Sequence, residues 1–165
     1  MVWLLLFVLL LLFSFVVLFG APYLPTQKAQ TKAALDLLDL QKGQRLLELG
    51  CGDGRVLRMA AKRGISGVGY ELNPVLVLAA KMYTYKHRDK ITIKWGNYWR
   101  TSWPEADGIY VFLLDRYMKK LEKKLLKEKT RWGKKDTLKL ASYTFKMPHK
   151  KPSKVRSGVF LYEYK

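Results

Sequence analysis

Leu46-Leu47-Glu48-Leu49-Gly50-Cys51-Gly52-Asp53-Gly54 decides the fold. Four residues with a buried-strand character run straight into three glycines at alternate positions, and a helical pattern follows from about Asp53 to Lys62. A strand that exits through a glycine turn into a helix lets the backbone approach a ligand closely, while the free N–H groups of the helix point back at it. A dinucleotide fingerprint has the spacing G-x-G-x-x-G, but Arg55 stands where its third glycine would be, so the spacing favours another nucleoside ligand.

Outward from the turn, short apolar runs alternate with helical patterns. An amphipathic helix follows Thr26, a reasonable N-cap, with Ala33, Ala34, Leu37, Leu38 and Leu40 near helical spacing and Gly43 as a stop. Strands are expected at Arg45 to Leu49, Gly67 to Glu71, Ile91 to Trp95, Gly108 to Leu113, Lys139 to Phe145 and Val159 to Tyr164. Between them Pro74 opens a helix to about Tyr85, and another runs from about Arg116 to Lys127. This order predicts an α/β fold, a Rossmann-like, doubly wound, mostly parallel sheet with helices on both faces. The chain ends soon after Val159 to Tyr164, and the segment from Lys129 to Asp136 is short and very basic, so an incomplete, truncated sheet is expected.

Glu71 ends the second strand, 17 residues beyond Gly54, where an acid can accept hydrogen bonds from both hydroxyls of a ribose. The turn, the strand before it and this acid together form a fairly specific set.

The 165 residues carry 31 Lys and Arg against 13 Asp and Glu, a net charge of +18, which suits an anionic partner: a nucleic-acid backbone or acidic lipid headgroups. Charge alone does not choose between them. The single cysteine, Cys51, allows no internal disulfide, and no Cys/His cluster has metal-ligand spacing. Without a histidine in sequence context to activate it, Cys51 reads as a small packing residue. His87 and His149 read as solvated surface groups in lysine-rich surroundings.

Residues 1–20 read as a transmembrane anchor and 21–165 as the folded domain. Val2 to Phe19 is apolar apart from Ser14, and its 18 residues approach the ~30 Å of a bilayer's hydrocarbon core. No basic n-region precedes the run, and no clear A-x-A site follows it near Gly20-Ala21, which disfavours a cleaved signal peptide. Positive charge begins with Lys28 and Lys32 beyond the span, which places the domain on the cytoplasmic side of a single-pass chain.

With its Glu48-x-Gly50-x-Gly52-x-Gly54 motif and Glu71, the chain from about Pro22 onward resembles the class I S-adenosylmethionine-dependent methyltransferases. The resemblance implies that Glu48, Gly50, Gly52 and Gly54, with their turn neighbours Cys51 and Asp53, line the methionine end of adenosylmethionine, and that Glu71 holds the ribose. It also implies that Asn97, after the third strand, lies near the adenine. A narrower likeness appears in Pro22-Tyr23-Leu24-Pro25-Thr26, Gly52-Asp53-Gly54-Arg55, Gly67-Val68-Gly69-Tyr70-Glu71-Leu72-Asn73-Pro74 and Leu121-Glu122-Lys123-Lys124-Leu125. These are similar to the protein-lysine methyltransferases of the ATP synthase c-ring protein and the adenine nucleotide translocase. That likeness adds Thr26 to the cofactor candidates and implies a protein substrate, a membrane protein among the options. It also fits an N-terminal membrane segment and a cytoplasmic supply of adenosylmethionine.

Two other functions remain open: an RNA methyltransferase, which the basic surface would suit, and a membrane-tethered adenosylmethionine-binding module without turnover. Phe112-Leu113-Leu114-Asp115 after the fourth strand lacks the Asn-Pro-Pro-aromatic motif of adenine N6 methylation. Asp115 is therefore only a candidate for the acceptor side, and no catalytic residue is assigned. Trp95, Tyr98, Trp99 and Trp103 suit a substrate border or simple packing equally.

Overall fold

The structure is a computed structural model that describes residues 1–3, 6–7, 24–133 and 136–165. Most of the expected membrane span lies outside the described residues. Among the described residues no helix is long and apolar enough to cross a membrane.

The chain after Leu24 folds in the order α1 (Lys28–Leu38), β1 (Arg45–Leu49), α2 (Arg55–Lys62), β2 (Ser66–Glu71), α3 (Pro74–Thr84), β3 (Ile91–Trp95), β4 (Gly108–Val111), α4 (Met118–Trp132), β5 (Leu138–Tyr143), β6 (Lys154–Arg156) and β7 (Val159–Tyr164). Seven strands form one sheet in the order β3-β2-β1-β4-β5-β7-β6. The first five are parallel; β7 runs antiparallel to β5, and β6 antiparallel to β7.

The period of two along β1 builds both cores. Leu46 joins an apolar cluster with Leu35 and Leu38 of α1, Val56, Leu57 and Ala60 of α2, and Val77 and Ala80 of α3. Leu47 and Leu49 join a second cluster with Trp103 and with Met118, Leu121 and Leu125 of α4. Burying one such Leu contributes roughly 2 kcal/mol. Helices α2 and α3 lie near the sheet because β2 is Gly-rich: a Cβ at Gly67 or Gly69 would stand 2.6 Å from a Leu57 methyl. Alanine at either position would push α2 off the strand that leads to Glu71.

Three expectations change. The sheet is not truncated but reaches seven strands, the addition being β6: its Lys154-Val155-Arg156 is exposed throughout and carries no burial pattern to read. Helix α4 runs five residues past Lys127, through the basic segment, and stops at Gly133 in the left-handed region (φ 63°). Thr26 is not the N-cap of α1. Gln27 holds that place without a side-chain cap bond, and the Thr26 side chain turns to a partner across the sheet.

Candidate cofactor site

In an open parallel sheet the strand order reverses beside the first strand, and the crevice beyond the carboxyl ends of the strands there takes the ligand. Here β1 lies between β2 and β4, with Glu48 opposite Gly69 on one side and Tyr110 on the other. The turn Gly50 to Gly54 leaves this point. Its three glycines have φ of 81°, 53° and 77°, all in the left-handed region, and Gly54 is the N-cap of α2.

Glu71 organises the turn. Its Oε2 accepts the Gly52 N–H at 2.9 Å, and its Oε1 accepts the Leu72 and Asn73 N–H groups, each at 2.8 Å. Gly50 and Cys51 both donate their N–H to Tyr70 O at 2.9 Å, so the end of β2 holds the turn by main chain and side chain together. Asp53 forms a close pair with Arg55: Arg55 Nη2 donates to Oδ2 at 2.8 Å and Nε to Oδ1 at 3.0 Å. Arg55 Nη1 also donates to Thr26 O at 3.3 Å. The Thr26 hydroxyl meets the buried Tyr110 hydroxyl at 2.9 Å.

Glu48 is buried, 4% exposed, and its Oε2 is a buried oxygen without a hydrogen-bond partner. Burial first, then the charges of Asp53 and Glu71, hold its carboxyl well above the usual carboxylate range, against the opposing pull of the Leu57 amide. A buried acceptor without a donor costs about 1–3 kcal/mol, so this oxygen is primed for a cation or N–H donor. Beside it, the space over Gly50 is open: a Cβ there would meet nothing within 4 Å.

The candidates separate clearly. Thr26, Glu48, Gly50, Cys51, Gly52, Asp53, Gly54 and Glu71 gather around the turn. Cys51 is buried against Gly69, and burial first, then the Glu48 and Glu71 charges, raise its thiol well above the ordinary value, so it acts as packing and not as a nucleophile. Asn97 is tied to the same end of the sheet, since Gly96 N–H donates to Glu71 O at 2.9 Å. Its side-chain oxygen, though, accepts the Trp99 N–H at 2.9 Å and is committed to a local turn. Asp115 is exposed in the short 3-10 turn after β4. The aromatic group splits: Trp103 is fully buried, while Trp95 is 69% exposed and donates its indole N–H to Leu72 O at 3.0 Å. His149 also departs from expectation: although exposed, its Nδ1 lies 2.7 Å from Oε2 of buried Glu122. Among the described residues no cluster of His, Cys, Asp or Glu is placed to hold a metal ion.

One residue of the site carries no signal in the sequence. Tyr110 stands in an apolar strand, and nothing in its surroundings marks it as the partner of a threonine 84 positions earlier.

The ANTKMT methyltransferase domain matches residues 48–154, from the buried acid of β1 to the first residue of β6. The chain belongs to that family. It is 29% identical to the human lysine N-methyltransferase of the ATP synthase c-ring protein, over 81% of its own length and 56% of that protein's. It is 31% identical to a protein-lysine N-methyltransferase of Saccharolobus islandicus, covering 65% of this chain and 69% of that one. Among solved structures it is similar to an RNA methyltransferase from Salinibacter ruber in complex with S-adenosyl-L-homocysteine, at 27% identity and a TM-score of 0.73, covering 86% of this chain and 92% of that one. The chain spans about half the length of the ATP synthase lysine N-methyltransferases it matches. The class I methyltransferase fold and the family read from the sequence are thus both borne out.

Proposed function

We propose that this chain is an S-adenosylmethionine-dependent protein-lysine N-methyltransferase acting on a membrane-associated protein. The observation that carries the cofactor is the unpartnered Oε2 of Glu48 beside the open space over Gly50. A cationic ligand suits a site with three carboxylates, Glu48, Asp53 and Glu71, around one glycine turn. When bound, adenosylmethionine supplies an electrophilic methyl group on a sulfonium. Glu48 and the turn Gly50–Gly54 would hold its methionine end, Glu71 its ribose, and the segment at Asn97 would border its base.

What the protein contributes is placement. An amine acceptor needs to arrive uncharged and in line, and positioning alone supplies much of such a rate enhancement. A lysine, with a usual pKa of about 10.4, must lose its proton first, which desolvation favours. No residue of this chain is assigned as the base.

The lysine acceptor is supported by family membership and by the names of the matched relatives. Membrane placement is supported by the apolar stretch Val2 to Phe19, with the domain on the cytoplasmic side because the positive charge begins after it. RNA is the second reading, favoured by the +18 charge and the likeness to the Salinibacter ruber structure.

Radiolabelled adenosylmethionine supplied with membranes, soluble protein and RNA distinguishes these readings, using the wild type and Glu71→Ala. Label in a membrane protein, abolished by the variant, is expected. Label in RNA would replace the proposal by the second reading, and binding without label in any fraction would leave a non-catalytic module. No binding of adenosylmethionine at all would overturn the cofactor assignment.

A further inference from the structure

Helix α3 (Pro74–Thr84) is apolar on two faces. Val77, Ala80 and Thr84 are buried against the domain. On the other side Val75, Leu78 and Met82 are 54%, 61% and 71% exposed, and Tyr85 just beyond the helix is 61% exposed. Steps of three, four and three place these four on one stripe along the helix. Single exposed apolar residues are ordinary on a protein surface, but a continuous stripe of them marks a contact.

The stripe is rimmed by cations. Lys81 and Lys86 are exposed, the Arg88 guanidinium lies 4.4 Å over the Tyr85 ring, and Arg58 of α2 lies 4.3 Å over the Tyr83 ring. From Leu72 to Arg88 there is no Asp or Glu. An apolar stripe with a purely cationic border matches the boundary of an anionic bilayer, where acyl chains lie beneath acidic headgroups; each Lys or Arg near such a surface contributes about 1 kcal/mol.

The location fits. The buried side of α3 reaches the cofactor turn, since a Cβ at Gly54 would meet Thr84 and Ala80 at 3.0 and 3.3 Å. Arg55, at the start of α2, binds Thr26 O, so the chain enters the described domain at this same corner from its apolar N-terminal stretch. We infer that α3 lies in the interface of an anionic bilayer, with Val75, Leu78, Met82 and Tyr85 among the upper acyl chains, and so holds the mouth of the site at headgroup level. A lysine of a membrane protein close to the headgroups is then within the enzyme's reach. The inference deepens the membrane placement proposed above and rests on it.

The test uses the full chain with a single reporter cysteine, Leu78→Cys, Met82→Cys or, as control, the exposed Lys127→Cys on α4, each carrying a polarity-sensitive fluorophore. Native Cys51 is buried, and wild type treated with the same reagent gives its background. The probes are phosphatidylcholine vesicles with or without one-third phosphatidylglycerol, containing a lipid with a nitroxide high on its acyl chain. Expected is quenching of about twofold at positions 78 and 82 in anionic vesicles, little at 127, and less at 82 when Lys81→Glu and Lys86→Glu are added. Protein that sediments with vesicles while 78 and 82 stay unquenched overturns the docking of α3 alone. Protein that does not sediment with vesicles overturns both the docking and the membrane placement. A fluorescence shift without quenching, together with a dimer on sedimentation, assigns the stripe to a second copy and overturns the inference.

Discussion

Three glycine-to-alanine substitutions separate what the glycine turn does for folding from what it does for a ligand. Gly54, Gly50 and Gly133 all have left-handed φ, of 77°, 81° and 63°. A Cβ in that region costs about 1–2 kcal/mol by itself. At Gly133, the end of α4, a Cβ meets nothing within 4 Å, so Gly133→Ala should lower stability by only that amount. At Gly54 it would stand 3.0 Å from Thr84 Cγ2 and 3.3 Å from Ala80 Cβ. Thr84 cannot easily yield, because it is buried and its hydroxyl donates to Ala80 O at 2.7 Å. Overpacking there adds about 1–3 kcal/mol, for a total near 3 kcal/mol. Gly50 combines strain with open space, so Gly50→Ala should match Gly133→Ala in stability yet weaken adenosylmethionine binding about tenfold or more, since the new methyl occupies the ligand's approach. Urea unfolding and titration calorimetry on the full chain measure both quantities. Equal unfolding free energies for Gly54→Ala and Gly133→Ala would refute the packing argument. Unchanged affinity in Gly50→Ala would refute the placement of the ligand.

Glu48→Gln should behave oppositely in stability and in binding. Burial first, then the Asp53 charge, raise the Glu48 carboxyl in the fold, so the folded chain holds that proton more tightly than the unfolded chain. The stability linked to it is complete below the unfolded value of about 4.3 and is lost as pH rises through the folded value. The unfolding midpoint of the variant should therefore gain on wild type between about pH 5 and pH 8, while its affinity for adenosylmethionine falls; a constant difference across that range would contradict the burial argument. Thr26→Val and Tyr110→Phe should each cost about 1 kcal/mol, with a double-mutant coupling of similar size, read by urea unfolding; additive losses would mean that the 2.9 Å contact carries no net energy.

The parts of this fold readable from the sequence are those where one residue type has one use. Pro74 after Asn73 starts a helix, and Asn73 does cap α3 by accepting the Val75 N–H at 2.9 Å. The glycine turn and Glu71 lie where their spacing put them. Readability failed where the determinant is tertiary. Strand β6 exists because β7 offers Val159, Phe160 and Leu161 as pairing partners, not because Lys154-Val155-Arg156 prefers to be extended. Helix α4 continues through Lys129–Trp132 because Arg131 Nε donates to buried Glu128 at 2.7 Å and Trp132 Nε1 donates to Trp103 O at 3.0 Å, contacts that no basic run announces. Lys124 completes the pair around Glu128 at 3.3 Å, so part of this lysine-rich helix is an internal brace and not a solvated face.

Glu71 shows how the site would respond to its ligand. An ionised carboxylate offers about four lone-pair positions, and three are already used by the N–H groups of Gly52, Leu72 and Asn73. Two ribose hydroxyls therefore cannot both be accepted while every amide is kept. Of the three, the Gly52 contact is the one that spans from the end of β2 to the turn; the others are local to residues 71–73 and fix the carboxyl's direction. Releasing Gly52 would free the turn to adjust, and it is the same turn whose neighbour Glu48 holds the unpartnered oxygen. Ribose and methionine ends of the cofactor would then be recognised through one shared element. On that argument Glu71→Gln should weaken binding of adenosine as well as of adenosylmethionine, because the amide can no longer accept from all the donors it faces. A variant that lost only the affinity for the methionine end would show that Glu71 acts on the turn alone and not on the ribose.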